Sequence, residues 1–487
     1  MSPTNTARAK NLALALLAMA QFVVVLDASI VNVALPSIGG DLDFAQEDLS
    51  WVINSYTLFF GGFLLLGGRL ADLLGRRRMF IWGMWLFAFA SLAGGLAQSD
   101  IWLIVARAVQ GLGAALISPA ALALVTTTFA EGAERNKALG VWGAVAGSGG
   151  AAGVLLGGIL TETLGWEWVL FVNTPIGIAA ALLAPRLLED SRDESRASFD
   201  IAGAVSVTAG LALLVYTLVD ANDAGWGSTQ TLVLGGISLF LLVLFLFIES
   251  RQRHPLMPFS IFRLRTLRGA NVIGLLLGMS LFSMFFFISL YMQQVLGYEP
   301  LEAGLAYLPL ATLIILSAGA ASQLVTRVGF KPTLIAGLLF VAAGLVWFGQ
   351  VSPGGGYVSD VLFPSMLAAV GLGLAFVPVT IAAVTNVRPD EAGLASGLIN
   401  TSQQVGGALG LAVLATVATG RTDDVFASGE RNPAVALTEG FQDAFLVGAG
   451  MAILAALLAA VLISSKDSRE HAEAARRGEV APAPAAA

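Results

Sequence analysis

NLALALLAMAQFVVVLDASIVNVALP, residues 11–36, runs for 26 residues with one ionisable side chain, Asp27. At 1.5 Å of rise per residue, about 20 residues of helix cross a hydrocarbon core about 30 Å thick, so the stretch reads as one membrane span. A signal-peptide core of about 7 to 15 residues would be shorter, and no small-residue cleavage site follows. The pattern then repeats. Apolar runs fall at about 51–71, 79–97, 101–125, 138–160 and 168–188, at about 200–219 and 230–248, and at about 267–292, 303–325, 333–351, 358–386, 394–419 and 441–463.

Six, two and six runs predict an all-α integral membrane protein with fourteen spans. The N-terminal bundle is expected over 1–188, two linker helices with flanking loops over 189–266, the C-terminal bundle over 267–463, and a disordered tail over 464–487. The outer connection at about 420–440 is expected to be mobile. Only 12% of the 487 residues are charged, against about 25% in an ordinary globular protein. With an even number of spans, one side collects 23 of the 26 Lys and Arg; the positive-inside rule makes that side, with both termini, cytoplasmic. Trp51, Trp102, Trp166, Trp168 and Trp226 fall at the opposite ends of their runs, where indole rings favour the interface.

The two halves echo each other. GRLADLLGRRR (68–78) corresponds to SQLVTRVGFK (322–331), with Gly75 and Gly329 254 positions apart; Gly140 and Gly397 are 257 apart. Such offsets fit a duplicated six-helix unit.

Asp27 and Arg107 are the only acid and base well inside the runs, and a charge at membrane depth is a functional candidate by default. Asp27 lies nine residues before Pro36 and Arg107 about six after the start of its run, which places them roughly 13 and 9 Å below the outer surface, in one layer. A buried carboxyl can bind and release a proton, and proton and substrate would then compete at Asp27 while Arg107, charged throughout, tunes the competition. A static ion pair that fixes helix packing is the other reading.

Gly149, Gly153 and Gly157, with Gly158 beside them, repeat at the interval that lets two helices approach closely. Asp72, between Gly68 and the Gly75–Arg76 corner, argues that the basic loop does more than orient the chain, since orientation needs no acid. Gln21, Asn32, Asn54, Tyr56, Gln110, Gln293, Asn400 and Gln404 are candidates for a substrate cavity, although interhelical hydrogen bonding would also account for them. No lysine follows a glycine, which excludes a GxxxxGK phosphate loop, and no HExxH or GxSxG occurs. Cysteine is absent. No catalytic residue, metal site, organic cofactor or nucleic-acid partner is therefore expected; an ion gradient is the expected energy source.

In these residues the chain resembles the fourteen-helix drug:proton antiporter branch of the major facilitator superfamily. The resemblance rests on LDASIVNVALP (26–36), GRLADLLGRRR (68–78), RAVQGLGAA (107–115), GSGGAAGVLLGG (147–158), WEWVLFVNTPIG (166–177), YMQQVLGYEPLEAGLAYLP (291–309) and AGLASGLINTSQQVGGALG (392–410). It implies two bundles rocking about a central cavity and proton-coupled export of drugs or amphipathic and cationic small molecules from a bacterial inner membrane, by a monomer. By the same resemblance Asp27 and Arg107 serve coupling, Gly68, Asp72, Gly75 and Arg76 a cytoplasmic gate, and Gly149, Gly153, Gly157 and Gly158 a bending fifth helix. Val154, Leu73 and Glu167 depart from the usual proline, basic residue and arginine of these motifs. Export of one dedicated natural product, and a non-transporting membrane sensor, are the alternatives.

Overall fold

The structure, a computed structural model, describes residues 3–44, 49, 51–130, 132–189, 201–252, 255, 257–388 and 391–477. Among them are fourteen long helices: α1 (Pro3–Asp41), α2 (Trp51–Leu74), α3 (Arg76–Gly95), α4 (Asp100–Thr128), α5 (Ala133–Thr163), α6 (Trp168–Leu187), α7 (Ile201–Ala224), α8 (Thr229–Arg251), α9 (Arg265–Leu290), α10 (Leu301–Val328), α11 (Phe330–Phe348), α12 (Tyr357–Val384), α13 (Ala392–Ala427) and α14 (Pro433–Leu462). A shorter α15 covers Ser465–Arg477, and no strand occurs among the described residues. Eleven helices are long and apolar enough to cross a membrane, twelve with the bent α5. By that measure α3 and α7 fall short of the expected fourteen spans.

Local chemistry sets the boundaries. Ser99 caps α4 by accepting the Trp102 N–H, Ser228 caps α8 through Thr231, and Asn432 accepts the Ala434 N–H with Pro433 in the first turn of α14. Gly75 and Gly329 have φ of 103° and 95° and turn the chain from α2 into α3 and from α10 into α11. The two corners matched in sequence thus share one left-handed backbone geometry that a Cβ would oppose.

α1–α6 and α9–α14 pack as two groups, and α7 lies across the seam between them, against α8, α2 and α13. Ala212 of α7 fills the space where a Cβ on Gly62 of α2 would stand, Trp51 stacks on Tyr216 at 5.5 Å, and Trp226 Nε1 donates to Thr416 Oγ1 of α13 at 2.7 Å.

Two expectations need correction. The 420–440 connection is mostly helix, because α13 continues to Ala427 and α14 begins at Pro433. Arg421 pairs with Glu439 at 2.7 Å and Thr422 Oγ1 donates to Ala418 and Ala436 carbonyls, so the corner is tied together above the apolar layer. The tail is ordered over α15. Ser468 Oγ accepts from Lys331 N at 3.0 Å, Lys331 Nζ donates to the Ala460 and Ile463 carbonyls, and Ala475 packs on Gly132. Residues 478–487 and the charged connection at 190–200 lie outside the described residues.

Candidate functional site

Asp27 and Arg107 meet. Arg107 Nη1 donates to Asp27 Oδ2 at 2.5 Å, and the side chains are 1% and 0% exposed. Gln110, one turn after Arg107, accepts from Arg107 Nη1 through Oε1 at 2.6 Å and donates through Nε2 to Asp27 Oδ1 at 2.7 Å and to Ser91 Oγ at 2.7 Å. Asn173 of α6 donates to the same Oδ1 at 2.6 Å. The guanidinium is further fixed by Nε donating to the Val52 carbonyl at 3.0 Å, and its Cζ lies 4.4 Å from the Tyr56 ring centroid. Tyr56 in turn donates to the Val24 carbonyl at 3.1 Å. The cluster therefore joins α1, α2, α3, α4 and α6, and each neighbour bonded to the Asp27 carboxyl is an N–H donor.

Tyr56 and Gln110, expected on a cavity wall, belong to this buried cluster; each is 1% exposed. The three-residue spacing from Arg107 puts Gln110 on the same helix face, and the Tyr56 ring is held under the guanidinium. Of the other cavity candidates, Gln21 is buried and its Oε1 has no partner among the described residues. Asn54, Asn400 and Gln404 are half-buried, and Asn32 and Gln293 are exposed. Asn400 Nδ2 donates to the Ser396 carbonyl and Gln293 Nε2 to Ser289 Oγ, so both spend a donor on their own helix. Asn173 and Ser91 carry no role in the sequence reading. Asn173 stands out in retrospect as an amide in the apolar block 168–187; Ser91 had no signal.

The second buried acid lies at the base-rich face. Asp72 accepts from Arg76 Nε at 3.2 Å and Nη2 at 3.0 Å, and from the backbone N–H groups of Gly393 at 3.0 Å and Leu394 at 2.9 Å. A carboxylate of the N-terminal half thus occupies the start of α13 in the C-terminal half, where unpaired N–H groups favour negative charge. Gly68 permits the approach, since a Cβ there would stand 2.6 Å from the Gly393 carbonyl oxygen. Along the same face Asn136 Nδ2 donates to Thr326 Oγ1 at 3.0 Å and Gly140 abuts Ser322, both joining α5 to α10.

α5 bends by 44° between Ala133–Gly150 and Ala152–Thr163. Gly149, Gly153 and Gly157 face α1: added Cβ atoms would stand 2.8 Å from Val25, 1.9 Å from Ser29 and 2.6 Å from Ile30, respectively. Gly158 faces Leu301 of α10 at 3.5 Å, and Gly150, at the bend, meets nothing within 4 Å. The small residues therefore hold α5 against the helix that carries Asp27. Among the described residues no group of three or more His, Cys, Asp or Glu could hold a metal.

The family model for the Major Facilitator Superfamily matches residues 17–411. The chain is 42% identical over 465 residues to the cephamycin export protein CmcT of Amycolatopsis lactamdurans, covering 95% of this chain and 93% of that one. It is 40% identical over 471 residues, with the same coverage, to the puromycin resistance protein pur8 of Streptomyces alboniger. The proton:xylose symporter XylE has the same fold at a TM-score of 0.65 and 13% identity, with 94% of this chain and 97% of that one covered. The chain is a multi-pass membrane protein of the major facilitator superfamily, a transporter of small molecules and not an enzyme.

Proposed function

We propose that the protein is a proton-coupled exporter of antibiotic-like, amphipathic or cationic small molecules, working by alternating access in a bacterial plasma membrane. The observation that carries the reading is the Asp27–Arg107 pair, buried at membrane depth and bonded through Gln110 and Asn173. A buried ion pair is weak evidence for stability on its own, whereas a carboxyl among polar partners has a use wherever a proton must be stored. The chain spans the bilayer fourteen times, with its base-rich face and termini in the cytoplasm. It acts as a monomer without an organic cofactor or metal and draws its work from the proton gradient.

In this reading the Asp72 contact to α13 holds the cytoplasmic side shut. A proton arriving from outside neutralises Asp27, substrate and proton exchange across the N-terminal half, and α5 moves against α1 through its glycine face. Uptake of a suitable cationic dye into everted vesicles should release protons on substrate addition, and Asp27→Asn should abolish that release. Unchanged pH-driven transport in Asp27→Asn would remove the coupling scheme.

A second reading is favoured by the relatives whose names carry a single antibiotic, cephamycin or puromycin: export of one dedicated natural product. A susceptibility panel of deletion and overexpression strains separates the two by whether resistance is broad or confined to one compound.

A further inference from the structure

We propose that Asn173 reads the protonation state of Asp27 by turning its side-chain amide, and that this turn is part of proton coupling. The inference rests on Asp27 being the coupling acid. As the structure stands, Asp27 Oδ1 accepts from Asn173 at 2.6 Å and Gln110 at 2.7 Å, and Oδ2 accepts from Arg107 at 2.5 Å. A carboxylate can accept all three. A carboxylic acid carries an O–H, and that hydrogen needs an acceptor.

Only one of the three neighbours can become that acceptor. Arg107 has no acceptor atom at all. Gln110 is fixed at both ends, with Oε1 on Arg107 Nη1 at 2.6 Å and Nε2 shared with Ser91 Oγ at 2.7 Å. Turning it would set an N–H group against the guanidinium and break both bonds. Asn173, fully buried, makes one side-chain hydrogen bond, through Nδ2, while its Oδ1 has no partner among the described residues. Rotating the amide by about 180° about χ2, a broad two-fold torsion, exchanges oxygen for nitrogen. The bond N–H···O⁻ becomes O–H···O, and nothing else is lost.

The step balances simply: one proton from the aqueous side is added to Asp27, the Asn173 N–H bond is released, and the acid's hydrogen is accepted by Asn173 Oδ1. The local backbone places the residue for this task. The helix is interrupted at Val172, between Trp168–Phe171 and Asn173–Leu187, where Pro175 cannot donate to the Phe171 carbonyl. Thr174 Oγ1 instead donates to the Ala88 carbonyl at 3.3 Å, and Gly177 packs on Ala88, which anchors α6 to α3.

The test uses the full chain in proteoliposomes, with a cationic dye that wild type exports as probe. Asn173→Leu keeps the branched shape and removes both functions; Asn173→Thr can still donate and accept. The expected result is that Asn173→Leu flattens the pH profile and loses at least tenfold in dye-induced proton release relative to its own dye-for-dye counterflow, which needs no proton. Asn173→Thr should recover most of the coupling. Wild-type proton release and pH profile in Asn173→Leu would overturn the inference. If Asn173→Leu does not insert, infrared difference spectra on acidification decide: a side-chain amide carbonyl shift seen in wild type should vanish in Asn173→Thr, and its persistence there overturns the proposal. Asp27→Asn separates the two levels. Coupling retained in that variant sinks the reading of Asp27, whereas coupling lost there but kept in Asn173→Leu sinks only the amide turn.

Discussion

Among the described residues stand two buried aspartate–arginine pairs, and they are satisfied in opposite ways. Among the described residues Asp27 takes its side-chain partners, Arg107, Gln110 and Asn173, from its own six-helix half. Asp72 takes one arginine from its own half and two backbone N–H groups from α13 in the other. Separating the halves leaves the first set intact and breaks the second. The bundles can therefore part without disturbing the Asp27 cluster, but not without stripping Asp72 of its α13 donors. On the proposed function, the first acid stores charge and the second registers conformation.

The largest expected effect tests the first pair. Arg107→Met leaves an uncompensated buried carboxylate and should cost about 3–5 kcal/mol of stability, read as a lower thermal midpoint in detergent. Asp27→Asn with Arg107→Met should recover part of that loss. Equal destabilisation in the single and double variants would show that the two charges are not coupled.

A third buried titratable group extends the comparison to the base-rich face. His471 of α15 bonds through Nε2 to Asn136 Oδ1 at 2.9 Å, and Asn136 also donates to Thr326, so tail and both halves meet there. Thr326 Oγ1 spends its hydrogen on the Ser322 carbonyl, so Asn136 must donate to it and turns Oδ1 toward the imidazole. Burial, helped by the charge of Arg135, pushes the imidazole down to about 4 from its ordinary 6.5. Because the folded value is depressed, the docked helix favours neutral imidazole. Its stability is full above pH 6.5 and falls as pH drops toward 4. The loss across that window should reach about 3 kcal/mol, visible as faster proteolysis of α15 at acid pH. His471→Leu should abolish the pH dependence, and an unchanged profile in that variant would assign it elsewhere.

Asp72→Asn should cost the closed conformer about 1.5–3 kcal/mol through lost charge-assisted bonds. The chain has no cysteine, so spin labels on Lys137→Cys and Arg327→Cys, both exposed, report the gap across the face directly. A longer mean distance in Asp72→Asn is expected, and the wild-type distance would remove Asp72 from the gate. The smallest effects concern the helix beside Asp27. Gly153→Ala puts a methyl 1.9 Å from Ser29 Oγ and 2.7 Å from the Leu26 carbonyl oxygen, and should cost about 1–3 kcal/mol. Gly150→Ala meets nothing within 4 Å and should stay within about 0.5 kcal/mol in thermal midpoint assays. Equal effects would mean the α1–α5 contact does not constrain the pair.

Much of this was legible in order along the chain. The expected runs and the observed helices agree within a few residues over most of their ends, because the bilayer's thickness imposes one length on every apolar stretch. Asp27 and Arg107 were legible for a related reason: with so few charges in the runs, depth alone paired them. Asn173 was not, since nothing local distinguishes an amide that bonds a carboxylate from one that bonds a neighbouring carbonyl. The reach of α13 and α14 past the apolar layer was missed because their outer turns are polar and held by Arg421, Glu439 and Thr422 pairings.

The sequence by itself determined the helical class, the family and the layer in which the intramembrane charges meet, because hydrophobic length and the cost of burying charge are local properties of the chain. Only the tertiary structure decided that Asp72 caps a helix 321 positions away, that α7 lies across the seam, and that Asn173 completes the Asp27 cluster. Those contacts depend on which helix faces which, and packing between distant segments sets that.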